Sequence, residues 1–333
     1  MTYGLLRSVS MLAAVTATVT LVQVPLFGQS STWTVPRTAD GHPDLQGVWS
    51  NNTATPMERP AVFEGRAELT DEELATLRQR ADEIINSGGQ EQAGEVFGDL
   101  LYLLAAGDDN VYEIDPDTGN YNAFWLDDRD FDNRTSLIVD QPNGRRPPMT
   151  EEALTRRRGG GGFGRTNGPE DLGLTGRCIS YGVPNLIAGY NSFFQIFQSA
   201  THVAIFQEMI HDIRVIPLDG RPHLDADIRL WHGDSRARYE GDSLVVETTN
   251  FSPPSSKQGA SDSVRIIERF TRVGPETLQF EVTYDDPATW TSSWTVLIPL
   301  KRSDQAVYEY ACHEGNYAMK GVLAGARLAD EQQ

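Results

Sequence analysis

The chain has 333 residues, enough for one large or two modest domains, and sets 47 acidic residues against 28 basic ones for a net charge of −19. That excess of negative charge repels nucleic acid and anionic lipid surfaces, so neither is expected as a partner. Neutral or cationic small molecules remain open as ligands or substrates.

Residues 1–30 form a separate object. Arg7 gives a short positive start, residues 10–24 are apolar, and Gly28 and Ser30 are small residues at cleavage-site spacing. The pattern predicts a signal peptide and hence a secreted or periplasmic protein. The apolar run is shorter than the ~20 residues a membrane span needs, so stable membrane insertion is not expected. Cys178 and Cys312 are the two cysteines. In an exported chain they most simply form one disulfide.

Further along, Gly47-Val48-Trp49 reads as a short first strand. Thr70-Asp71-Glu72-Glu73 is a capping box opening a helix, with Leu74, Leu77, Ala81 and Ile84 on one stripe and Gly88-Gly89 as its stop. The run 96–106 is a second helix or a buried segment. Residues 107–132 are acidic and turn-rich; Asp115 and Asp117 there lack the spacing of a calcium loop and read as a solvated turn. Residues 135–139 read as a strand closed by Pro142-Asn143-Gly144, and residues 156–168, with their run of glycines, as a flexible loop.

From about residue 193 strand follows strand. Leu278, Phe280, Val282 and Tyr284 alternate with polar neighbours, and Trp290, Trp294, Val296, Ile298 and Leu300 share another face. Turn residues at 274–276, 285–287 and 303–304 separate these runs. The expected fold is mainly β: one large antiparallel β-barrel domain over residues 31–333, with residues 50–180 as an irregular, partly helical insertion.

Ionisable groups are threaded through this strand region. Glu208 and His211 have a Glu-x-x-His spacing between strand-like runs, and across a hairpin they suit an acid–base pair. Arg214, if inward, needs an acid, for which Asp234 or Glu240 could serve; Asp234 and Arg236 place an acid and a guanidinium in one turn, able to hold an anion or only each other. Glu208, His211, Arg214, Asp234 and Arg236 are therefore the candidate catalytic residues. Trp49, Trp231, Trp290 and Trp294 are the candidate ligand-lining residues. His202, His223, His232 and His313 could with a carboxylate make a zinc or iron site built on strands, but they lack His-x-His or His-x3-His spacing, and the expectation is no cofactor. No serine elbow, P-loop or dinucleotide fingerprint occurs.

Two resemblances rest on these residues. Gly47-Val48-Trp49 followed by an antiparallel meander resembles the calycin or lipocalin-like barrels. Pro43–Trp49, Arg134–Asp140, Gly233–Arg236, Glu240–Val246 and Tyr308–Asn316 together resemble an uncharacterised family of secreted bacterial proteins across nearly the whole mature chain. That kinship implies export and no particular chemistry. Three functions stand as expectations: an exported hydrolase, lyase or isomerase using His/carboxylate acid–base chemistry on a small organic molecule, a lipocalin-like carrier of an apolar or aromatic ligand, or a structural or carbohydrate-associated envelope protein whose aromatics face partners. Charge within the strands favours the enzyme.

Overall fold

The computed structural model describes residues 33–87, 100–107, 128–159, 167–253, 255 and 258–331. The signal-like segment, Gly88-Gly89, the start of the 96–106 run, most of the acidic segment and most of the glycine run lie outside the described residues. From Thr34 onward the chain forms one compact unit.

Among the described residues, nine strands make one antiparallel sheet: β1 (Gly47–Ser50), β2 (Phe193–Gln198), β3 (His202–Gln207), β4 (Ile213–Pro217), β5 (Asp234–Glu240), β6 (Ser243–Thr249), β7 (Arg265–Arg272), β8 (Thr277–Asp285) and β9 (Trp294–Ser303). Their order is β4-β3-β2-β1-β9-β8-β7-β6-β5. The first strand thus sits in the middle, where Trp49 faces Phe194 on one side and Arg302 on the other. The alternation read from β8 holds: Leu278, Phe280, Val282 and Tyr284 are all fully buried and oppose Leu300, Ile298, Val296 and Trp294 of β9. A period-2 strand with one apolar face must cover that face. Here it is covered by the sheet itself, since residues from all nine strands except the short outer turns share one core cluster.

The sheet is not closed by hydrogen bonds. β4 and β5 are its two edges; they lie close to each other with no ladder between them. The structure therefore gives a curled antiparallel sheet where the sequence suggested a barrel. At one end, Trp49 donates through Nε1 to the Leu45 carbonyl and packs beneath the guanidinium groups of Arg272 and Arg302.

Among the described residues, three α-helices lie between β1 and β2: α1 (Asp71–Ser87), α2 (Leu100–Ala106) and α3 (Glu151–Gly159). The capping box of α1 is formed, Thr70 and Glu73 each accepting the other's backbone N–H. Leu77 and Ala81 pack with Leu101, Tyr102 and Phe131 in a second small core, flanked by Leu74 and Ile84. Arg156 to Arg158 belong to the end of α3, so helix extends into the expected loop. Residues 135–139 are not a strand. Ser136 Oγ takes the Ile138 N–H and Leu137 N–H donates to Pro56, which leaves one isolated bridge from Ile138 to Val296. A final helix, α4 (Ala318–Glu331), has no buried residue. Cys178 and Cys312 are bonded, tying the segment before α4 to the loop before β2. No helix among the described residues is long and apolar enough to cross a membrane.

Candidate functional site at the β4–β5 seam

The gap between the two edge strands is a cleft of about 380 Å³. β4 supplies Ile213 to Pro217 as its wall, β5 supplies Asp234 to Arg236, and the connecting loop contributes Leu230, Trp231 and His232. Gly233, at φ +68°, lets that loop turn into β5; a Cβ there would meet the Thr249 carbonyl at 2.6 Å. Sequence therefore dictates a glycine between the histidine and the aspartate.

Four of the nine residues singled out by sequence meet at this cleft: Arg214, Trp231, Asp234 and Arg236. Arg214 does not pair with Asp234 or Glu240. It makes a bidentate ion pair with Glu268 of β7, Nη1 and Nη2 reaching the two carboxylate oxygens at 2.6 and 2.8 Å, with both side chains sealed from solvent. Residue parity explains the choice. Arg214 opposes Ile205 on the inward face, and Glu268 opposes inward Val282 and Val246, whereas Glu240 lies on the outer face beside Arg238 and Arg269.

Asp234 is the anchor of the connecting loop. One carboxylate oxygen accepts from Arg236 Nη1 at 2.6 Å; the other accepts from His223 Nδ1 at 2.8 Å and the Leu224 N–H at 3.0 Å. Arg236 also donates to the Pro222 and Ser235 carbonyls. Beside His223, the carboxyl of Glu247 is held below its ordinary range, chiefly by its hydrogen bond from Arg265.

Glu208 and His211 do not line the cleft. They flank a one-turn connection between β3 and β4 in which Ile210 and His211 take left-handed backbone angles (φ +59° and +47°). Such angles are costly for non-glycine residues, a β-branched one above all. Glu208 is buried, and His211 engages the Tyr310 carbonyl through Nδ1 at 3.0 Å. Cys178 and Asn191 also have positive φ, and both line a second groove of about 780 Å³ beside the disulfide. Trp49, Trp290 and Trp294 belong to the buried core, the last stacked on Tyr284.

Sequence reading passed over the group nearest to chemistry. His232 lies in the cleft with Nε2 3.2 Å from Asp212 Oδ1 and 3.0 Å from Ser180 Oγ. Ser180 is sealed from solvent; it accepts from the Gly182 N–H and donates to Asp212 Oδ2. This is not a nucleophile triad, because serine and aspartate meet the same imidazole nitrogen and the serine is inaccessible. It is an Asp–His dyad with a serine brace. The Asp212 carboxylate selects the tautomer with its proton on Nε2, leaving Nδ1 as a lone pair with no partner among the described residues. The available signal was weak: an aspartate beside a histidine at 211, and a second histidine 20 residues on.

Among the described residues no cluster of three or more histidine, cysteine or acidic side chains has the geometry to hold a metal. Comparison with protein-family models, curated proteins and solved structures found no match.

Proposed function

We propose that the chain is an exported enzyme that moves a proton on a small organic molecule at the β4–β5 seam, with His232 as the base. The observation that carries this reading is the dyad. Asp212 and Ser180 fix one imidazole nitrogen and leave the other uncommitted in a side chain that lines the cleft. An imidazole oriented by a carboxylate is the common form of a general base. Arg236, with Nη1 and Nε engaged and Nη2 uncommitted, is the group to hold negative charge that develops on the substrate. The exposed face of Trp231 offers an aromatic platform. The buried Ser180 favours a lyase, an isomerase or a base-activated water over an acyl-enzyme.

Export and a container role belong to the same reading. The disulfide supports an oxidising compartment. The central position of the Gly47-Val48-Trp49 strand and the nearness of the two sheet edges support a lipocalin-like barrel with no backbone ladder at its last joint.

The test uses 5-nitrobenzisoxazole, whose ring opens when a base removes its one acidic C–H and the N–O bond breaks to give a phenolate. The wild-type protein should open it faster than free imidazole, and His232→Ala should lose at least about a hundredfold, the lower range of general base catalysis. Asp212→Asn should lose less, and Arg236→Met should raise KM. Equal rates for wild type and His232→Ala, at equal melting temperatures, would sink the proposal.

A further inference from the structure

Behind the seam, inside the curled sheet, five polar side chains lie on the inward face among Val, Ile and Phe. Arg214 and Glu268 form the ion pair already described. Gln207 stands two residues beyond Ile205, the residue opposite Arg214, and is therefore Arg214's diagonal neighbour. Tyr284 stands two beyond Val282, the residue opposite Glu268, and is diagonal to Glu268. Trp294 directly opposes Tyr284, with the rings stacked 4.4 Å apart. Diagonal inward neighbours lie about 7 Å apart, within reach of long and aromatic side chains. The five thus form one continuous belt across β3, β4, β7, β8 and β9.

Four of these five carry a buried polar atom with no hydrogen-bond partner among the described residues: Gln207 Oε1, Arg214 Nε, Tyr284 Oη and Trp294 Nε1. Their residues are no more than 5 % exposed. A folded protein leaves few such groups, because each costs about 1–3 kcal/mol of desolvation. Four such atoms, on four strands, fall in this one belt.

We infer that this belt is a ligand site, distinct from the seam dyad, for a small, neutral, oxygenated aromatic molecule of the phenol or aryl ketone class. The chemistry of the unpaired atoms selects it. Arg214 Nε, Tyr284 Oη and Trp294 Nε1 are donors in search of acceptor oxygens, and Gln207 Oε1 needs one donor. Arg214 and Glu268 cancel each other's charge, so an ion entering without a counter-ion is disfavoured. Tyr284, Trp290 and Trp294 form a stacked and edge-to-face aromatic set that suits a ring. Desolvation also pushes the Tyr284 phenol well above its ordinary pKa, which keeps it a neutral donor. Arg214 belongs both to the belt and to the β4 wall of the seam cleft. The inference stands on the orphaned atoms and does not need His232 to be a base.

Calorimetric titration of the full mature protein at pH 6 with 4-hydroxyacetophenone, and separately with ethylbenzene, tests it. The first should bind saturably and the second at least about tenfold more weakly, the worth of one to two hydrogen bonds. Tyr284→Phe should cut affinity for 4-hydroxyacetophenone by about tenfold on the same scale. In the ligand-free protein the same substitution should leave Tm unchanged or raised, since the hydroxyl has no partner to lose. Three outcomes overturn the inference: no saturable binding at millimolar probe, equal affinity for ethylbenzene, or a Tm of Tyr284→Phe several degrees lower. The last would mean that permanent buried water already serves these atoms.

Discussion

Arg214 and Glu268 join the sheet's edge strand to β7, two strands in from the opposite edge, through two charge-assisted hydrogen bonds of 2.6 and 2.8 Å. No backbone hydrogen bond does that work. Glu268→Gln leaves a buried guanidinium without its counter-charge and should lower stability by about 3–5 kcal/mol, read by urea unfolding. Replacing both partners with methionine should recover most of that loss, because the cost lies in the orphaned charge. A Glu268→Gln protein as stable as wild type would mean that the pair is not buried in solution.

Gly233→Ala should cost at least about 2 kcal/mol, since a left-handed angle and a close carbonyl both oppose a Cβ. The loss should fall on the connecting loop, so hydrogen exchange at Leu224 and Trp231 should quicken more than in β8. Unchanged exchange there would argue against the glycine as the loop's pivot.

Acid should loosen the start of α1 before the sheet. Glu73 is lowered to about 2 by its hydrogen bonds with Arg66 and Thr70. A depressed carboxylate contributes stability that is fully present above its unfolded pKa near 4.5 and is lost as pH falls from there through about 2. Glu73 is exposed, so the effect is local. NMR titration of the Glu73 carboxyl should show the low pKa, and Glu73→Gln should remove the step in Thr70 N–H protection that follows that titration.

Reducing the Cys178–Cys312 bond should cost roughly 2–4 kcal/mol for so long a loop. Because α4 buries nothing of its own, the segment carrying Tyr310 should loosen first, and His211 with it. Intact-mass analysis before and after reduction counts the thiols, and proteolysis of the reduced form should begin after β9. Two free thiols in the oxidised protein would contradict the bond.

Local patterns were legible wherever a single stretch determines the outcome. Thr70 and Glu73 announced α1, the alternation of Leu278 to Tyr284 announced β8, and the runs around 203–206 and 213–216 announced a hairpin. What escaped was set by closure of the sheet. Glu268 looked like one acid among many until β7 turned its even residues inward. Asp212, Ser180 and His232 come from three separate segments whose meeting no spacing records. Residues 135–139 had strand composition, but the Ser136 hydroxyl competes for the Ile138 N–H and breaks the ladder.

The seam has a mechanical consequence. Every other neighbouring pair of strands is sewn by backbone bonds, so parting them means breaking several at once. No backbone ladder joins β4 and β5, and each of them is laddered only to its inner neighbour. Parting the sheet is therefore least costly at this seam, where no backbone hydrogen bond has to be broken. From that unladdered edge the buried Arg214–Glu268 pair reaches across the inward face to β7.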